Sequence, residues 1–126
     1  MDEKLKSHMR SLYCMAASDD NVSPEELTKM YEIGVNKFGL SPEETNEAVL
    51  SGGTTIYIPE TEEEKVEYLF HLTQIALADG SFDENEKFLI KKYALKFGII
   101  ENQVDDLIDL MVKTAGEGKD IKEQLK

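Results

Sequence analysis

Four times the sequence sets a serine, threonine or aspartate three residues ahead of a glutamate: Ser23-Pro24-Glu25-Glu26, Ser41-Pro42-Glu43-Glu44, Thr61-Glu62-Glu63-Glu64 and Asp83-Glu84-Asn85-Glu86. At that spacing the first side chain accepts a backbone N–H three residues on, and the glutamate reaches back to the first residue's own N–H. Two of the four also place proline at the first helical position, where a missing N–H is harmless. Stops are as legible as starts. Phe38-Gly39-Leu40 and Phe97-Gly98-Ile99 set glycine just past an apolar run, where a left-handed residue ends a helix. Apolar residues keep helical spacing throughout: Leu5, Met9, Leu12, Tyr13, Ala16; Leu27, Met30, Tyr31, Gly34, Phe38; Val66, Leu69, Phe70, Thr73, Leu77; Leu89, Tyr93, Phe97; and Val104, Leu107, Ile108, Met111. The chain reads as all-α.

Only Ser51 to Pro59, SGGTTIYIP, breaks this pattern, and it reads as a linker with a short extended piece at Thr55 to Ile58. It divides one domain, 1–126, into repeat one at about 5–50, a linker at 51–60, repeat two at about 61–111 and a tail at 112–126. Asp19, Val22 and Glu26 correspond to Asp79, Phe82 and Glu86 at an offset of 60, and Phe38-Gly39 to Phe97-Gly98 at 59. Neither half buries its apolar face alone, so packing about an approximate two-fold axis is expected. From Gly116 onward glycine alternates with charge, which predicts a frayed end or a short surface helix.

At 126 residues the chain hides roughly 65 to 70% of its unfolded surface, enough for a core without staples. The single cysteine, Cys14, lies in an apolar run and is expected to be a buried thiol in a reducing compartment. No stretch has the length and apolarity of a signal peptide or a membrane span, so a cytoplasmic protein without membrane insertion is expected. With 26 acidic against 14 basic residues the net charge is −12, which repels phosphate backbones and argues against direct nucleic-acid binding.

The stretch ALADGSFDENE, Ala76 to Glu86, looks like the second half of a calcium-binding loop, but the first and third ligand positions fall on Ile75 and Leu77. Oxygen donors for a hard cation, calcium or magnesium, are Asp79, Asp83 and Glu86 in this loop and Asp19, Asp20 and Glu26 in its counterpart. The local alternative gives Glu26 and Glu86 to capping boxes and Asp79-Gly80 to a tight turn. It leaves unexplained why Asp19 and Asp79 each follow an apolar helix, where a negative charge opposes the helix dipole by about 0.3 to 1 kcal/mol. His8 and His71 stand alone in sequence, without the spacing of a zinc site; His8 is expected to be exposed and His71 partly buried. There is no phosphate-cradling glycine loop, dinucleotide fingerprint or activated nucleophile, so no catalytic residue is assigned and a non-enzymatic protein is expected.

At these residues the sequence resembles the TerB-like family, the helical domain named for bacterial tellurite-resistance proteins. The motif is Ala78-Asp79-Gly80-Ser81-Phe82-Asp83-Glu84-Asn85-Glu86, continued to Phe97-Gly98-Ile99. The first repeat departs from it, with Ser18-Asp19-Asp20 for Ala-Asp-Gly and Ser23 in the place of Asp83. The resemblance spans roughly Leu5 to Met111 and implies a compact bundle of about seven helices in two pseudo-symmetric repeats. It implies acidic loops that converge on a surface able to hold divalent cations, and a link to stress response. Two functions follow as expectations: a cation-binding module serving an unidentified protein partner as a monomer or weak dimer, or a metal-independent interaction domain that uses its acidic surface or the strip Ile56-Tyr57-Ile58.

Overall fold

The computed structural model describes residues 3–17, 23–51, 58–78, 80, 82–119 and 121. Among them are six helices and no strand: α1 (Glu3–Ala16), α2 (Pro24–Phe38), α3 (Pro42–Ser51), α4 (Glu62–Leu77), α5 (Glu84–Lys96) and α6 (Glu101–Gly116). The extended piece expected at Thr55 to Ile58 falls largely on 52–57, outside the described residues; Ile58 itself is exposed and irregular.

All four start signals are used. Ser23, Ser41 and Asp83 make both bonds of the box with Glu26, Glu44 and Glu86, whereas Thr61 makes the forward bond from the Glu64 N–H. The two stops work through glycine, since Gly39 and Gly98 have φ of +67° and +89°. Past them the Leu40 N–H returns to the Gly34 carbonyl and the Ile99 N–H to that of Ala94, which satisfies the last turn of each helix.

α4 organises the packing. It lies against α1, α2, α5 and α6, while α1 also meets α2 and α3. Its residues Leu69 to Thr73, Ile75 and Ala76 are all buried, so most of its circumference in that stretch faces other helices. Met9, Leu12 and Met15 from α1, Met30 and Ile33 from α2, Ile90 from α5, and Val104, Ile108 and Met111 from α6 complete the core. α6 carries on through Thr114, which is buried, to Gly116, and Ile121 beyond it is fully buried, so the core reaches past the end of α6. Cys14 is half-buried, and the phenol of Tyr93, raised in pKa mainly by burial, meets Ser11 of α1.

The approach of α2 to α3 is close because Gly34 has no side chain. A Cβ there would stand 2.7 Å from Thr45 Oγ1, and that hydroxyl is held in place, buried and bonded to the Ser41 carbonyl at 3.0 Å. For Gly34→Ala, helix propensity favours the variant by about 1 kcal/mol. The overpacking it creates costs about 1 to 3 kcal/mol. The expected net result is a lower urea midpoint for Gly34→Ala; an unchanged or raised midpoint would show that α3 yields freely at Thr45.

Candidate functional site

The six acidic candidates divide by position. Asp19, Asp20 and Asp79 lie outside the described residues. Asp83 is exposed and acts as the N-cap of α5, its Oδ1 accepting the Glu86 N–H at 2.8 Å. Glu86 Oε1 accepts the Asp83 N–H at 3.0 Å. The same exchange joins Ser23 and Glu26, at 3.1 and 3.2 Å. What is unusual for a capping box is its depth: Glu26 is 2% exposed and Glu86 4%. A buried carboxylate must be hydrogen-bonded, and here the N-cap amide supplies one such bond at each helix start.

The stretches that flank the two acidic segments share one cavity. Pro24 and Glu25, just after the first, and Leu77 and Ala78, just before the second, line one open cavity of about 570 Å³, closed on another side by Ala115, Gly118 and Lys119. Gln74 of α4 also lines it, and its Oε1 is buried with no hydrogen-bond partner among the described residues. An uncharged amide oxygen of this kind is a common ligand of calcium, and Glu25 and Glu32 add carboxylates to the same wall. Glu32 is paired with Lys29 at 3.4 Å and Lys119 with Glu117 at 2.9 Å. Among the described residues no three His, Cys, Asp or Glu side chains gather closely enough to hold a metal ion by themselves. The donor chemistry at this cavity therefore fits a hard cation only together with oxygens from the adjoining acidic segments.

The expectation for His8 is corrected by the structure. His8 is 4% exposed and His71 1%, and His8 Nε2 stands 2.9 Å from His71 Nδ1, joining α1 to α4 across 63 residues of sequence. Tyr68 stacks on His8 with ring centroids 3.8 Å apart, and Phe38 meets both imidazoles edge-on. Glu67 Oε1 lies 3.8 Å from His71 Nε2. At this contact one ring nitrogen donates and the other accepts. The signal was present in the spacing, because Leu5, His8 and Leu12 share one face of α1. Its isolation in sequence concealed the partner.

Protein-family models, curated proteins and solved structures give no match to this chain.

Burial first, and then His71, holds the pKa of His8 well below the usual imidazole range. In the unfolded chain the same group takes up its proton near pH 6.5. The unfolded state thus binds more protons below that pH, and stability is lost as pH falls from about 6.5 towards the lower folded value. A single proton sets a slope of at most about 1.4 kcal/mol per pH unit. The unfolding free energy from urea titrations is expected to be level from pH 8 to 7 and to fall below 6.5, with a flatter profile in His8→Phe/His71→Phe. An identical slope in wild type and double variant would show that the pair does not sense protons.

Proposed function

We propose that the chain is a non-enzymatic TerB-like module that holds a divalent cation, calcium or magnesium, where its two acidic loops approach one another. The observation that carries this reading is the shared cavity, at which Pro24 and Ala78 adjoin the two loops and the unpartnered Gln74 Oε1 offers a ligand oxygen. Asp19, Asp20 and Asp79 are the carboxylates assigned to the ion, with Asp83 beside them. Glu26 and Glu86 have the anchoring role, tying the start of the following helix to its own N-cap.

Two pseudo-symmetric repeats, α1 to α3 and α4 to α6, are part of the same proposal. Support comes from the matching devices in the two halves: buried capping glutamates at Glu26 and Glu86, and left-handed glycine exits at Gly39 and Gly98. A cytoplasmic setting rests on the lone Cys14 and the lack of any signal-like stretch, and a link to stress response rests on the resemblance. The competing reading is the metal-independent interaction domain. It is favoured by one observation, that Asp83, Glu86 and Glu26 already have helix-capping work that needs no ion.

Calorimetric titration of the metal-stripped protein with calcium and magnesium decides between them. Saturable binding is expected, weakened about tenfold in Asp79→Asn and in Gln74→Leu. The Asp19→Asn/Asp79→Asn variant should not bind. No heat of binding at millimolar ion would leave the interaction domain as the function.

A further inference from the structure

The outward face of α5 is built unlike the rest of this acidic chain. The helix buries Glu86, Ile90, Tyr93 and Ala94. Opposite them Phe88 is 70% exposed and Leu95 43%, seven residues apart and so on one stripe. Lys87 and Lys91 flank that stripe on one side, Lys92 and Lys96 on the other. None of these four lysines has an ion-pair or hydrogen-bond partner among the described residues. Each row sets like charges four residues apart, an arrangement that destabilises a helix standing alone. Neither core packing nor helix stability accounts for an exposed phenylalanine between two rows of unpaired lysines.

We propose that this face of α5 docks an acidic amphipathic helix of a partner protein, whose aliphatic side chains cover Phe88 and Leu95 while carboxylates on its two flanks pair with the lysine rows. An apolar seam edged by charge on both sides is the pattern by which helices select a partner of opposite sign. Beside the seam, Phe82, Lys87, Ile108 and Val112 line a groove of about 340 Å³ between α5 and α6, which gives an additional apolar side chain a seat. The other charged groups at this groove are Glu84 at the start of α5 and Asp109 and Lys113 from α6.

The size of the occupant follows from screening. At physiological salt a charge is felt over about 8 Å. A helix about 10 to 12 Å wide seated on α5 therefore sees four lysines against Glu84, with Asp109 and Lys113 of opposite sign beside the groove, and the balance is positive. A membrane or a nucleic-acid duplex extends further and also meets the exposed Asp105 and Asp106 of α6, on a chain of net charge −12. A single acidic helix matches the patch; a broad anionic surface does not. This inference does not rest on the cation site.

The test uses the full chain, labelled with nitrogen-15, in metal-free buffer at physiological ionic strength. The probe is a synthetic peptide with leucine at every third or fourth position and glutamate on both flanks, against a shuffled peptide of the same composition. Saturable shifts of the Phe88, Lys91, Lys92 and Leu95 amides are expected, with affinity reduced about tenfold in Phe88→Ser and in Lys91→Glu/Lys92→Glu and falling with salt. Both variants change exposed side chains, and unaltered circular-dichroism melts would show that the fold is kept. The proposal is overturned by an absence of shifts at millimolar peptide, by equal binding of the shuffled peptide, or by shifts confined to other helices. It is equally overturned if α5 mediates self-association in sedimentation, or if the lysines bind phosphatidylserine vesicles and not the peptide. With no divalent ion present, these outcomes leave the cation reading as it stood.

Discussion

The middle of α4 is covered by other helices, and the rest of the architecture depends on how that coverage is achieved. A helix buried over most of its circumference gains apolar contacts but must satisfy every polar group it carries inward. Thr73 does so locally, its hydroxyl donating to the Leu69 carbonyl at 3.0 Å. His71 faces Glu67 of its own helix through Nε2 at 3.8 Å, and His8 of α1 meets its Nδ1 at 2.9 Å. The imidazole pair thus serves packing and recognition together. It gives α1 a hydrogen bond to α4 that an aliphatic side chain in either place would remove from the core. Phe38 and Tyr68 enclose the pair and exclude water, which strengthens the bond and disfavours its protonation.

The acidic character of the chain is put to local use before it is available for anything else. Glu26 and Glu86 are buried, yet each lies where helix-terminal N–H groups converge, so the positive end of the dipole offsets part of the desolvation. Replacing either with alanine removes an acceptor and leaves an N-cap amide to find another. A cation held by the adjoining segments would act beside these anchors and not through them. Gln74, by contrast, lines the cavity and keeps a buried amide oxygen with no such duty.

Much of the fold was legible because its signals are local. The S/T/D-x-x-E starts and the Phe-Gly stops are decided by hydrogen bonds within one turn, and they locate the limits of α2, the start of α3 and α4, and the span of α5. What the sequence concealed was long-range. His8 and His71 are 63 residues apart, and nothing in either neighbourhood names the other. The burial of Ile121 was hidden for a similar reason, since the glycines at 116 and 118 suggest an end while the packing of one isoleucine against the core outweighs them. For the candidate site, residue types pointed to oxygen chemistry, but Gln74 carries no charge and belongs to no motif. Only the fold brings Gln74 to the same cavity as Pro24 and Ala78.

α6 touches both surface features of the molecule. Its Ala115 lines the cavity beside the acidic segments, and its Ile108, Asp109, Val112 and Lys113 line the groove next to α5. Shared lining is not coupling, which requires an element with two arrangements of comparable energy. α6 is poorly suited to that role. Val104, Ile108 and Met111 are buried along its inner face, Met111 Sδ lies 3.9 Å from the Thr73 hydroxyl on α4, and Ile121 closes its end. Sliding the helix would expose or overpack several of these at once, at about 1 to 3 kcal/mol for each misfit. α6 is therefore a fixed wall between that cavity and the basic face of α5, and it sets their separation without relaying one to the other.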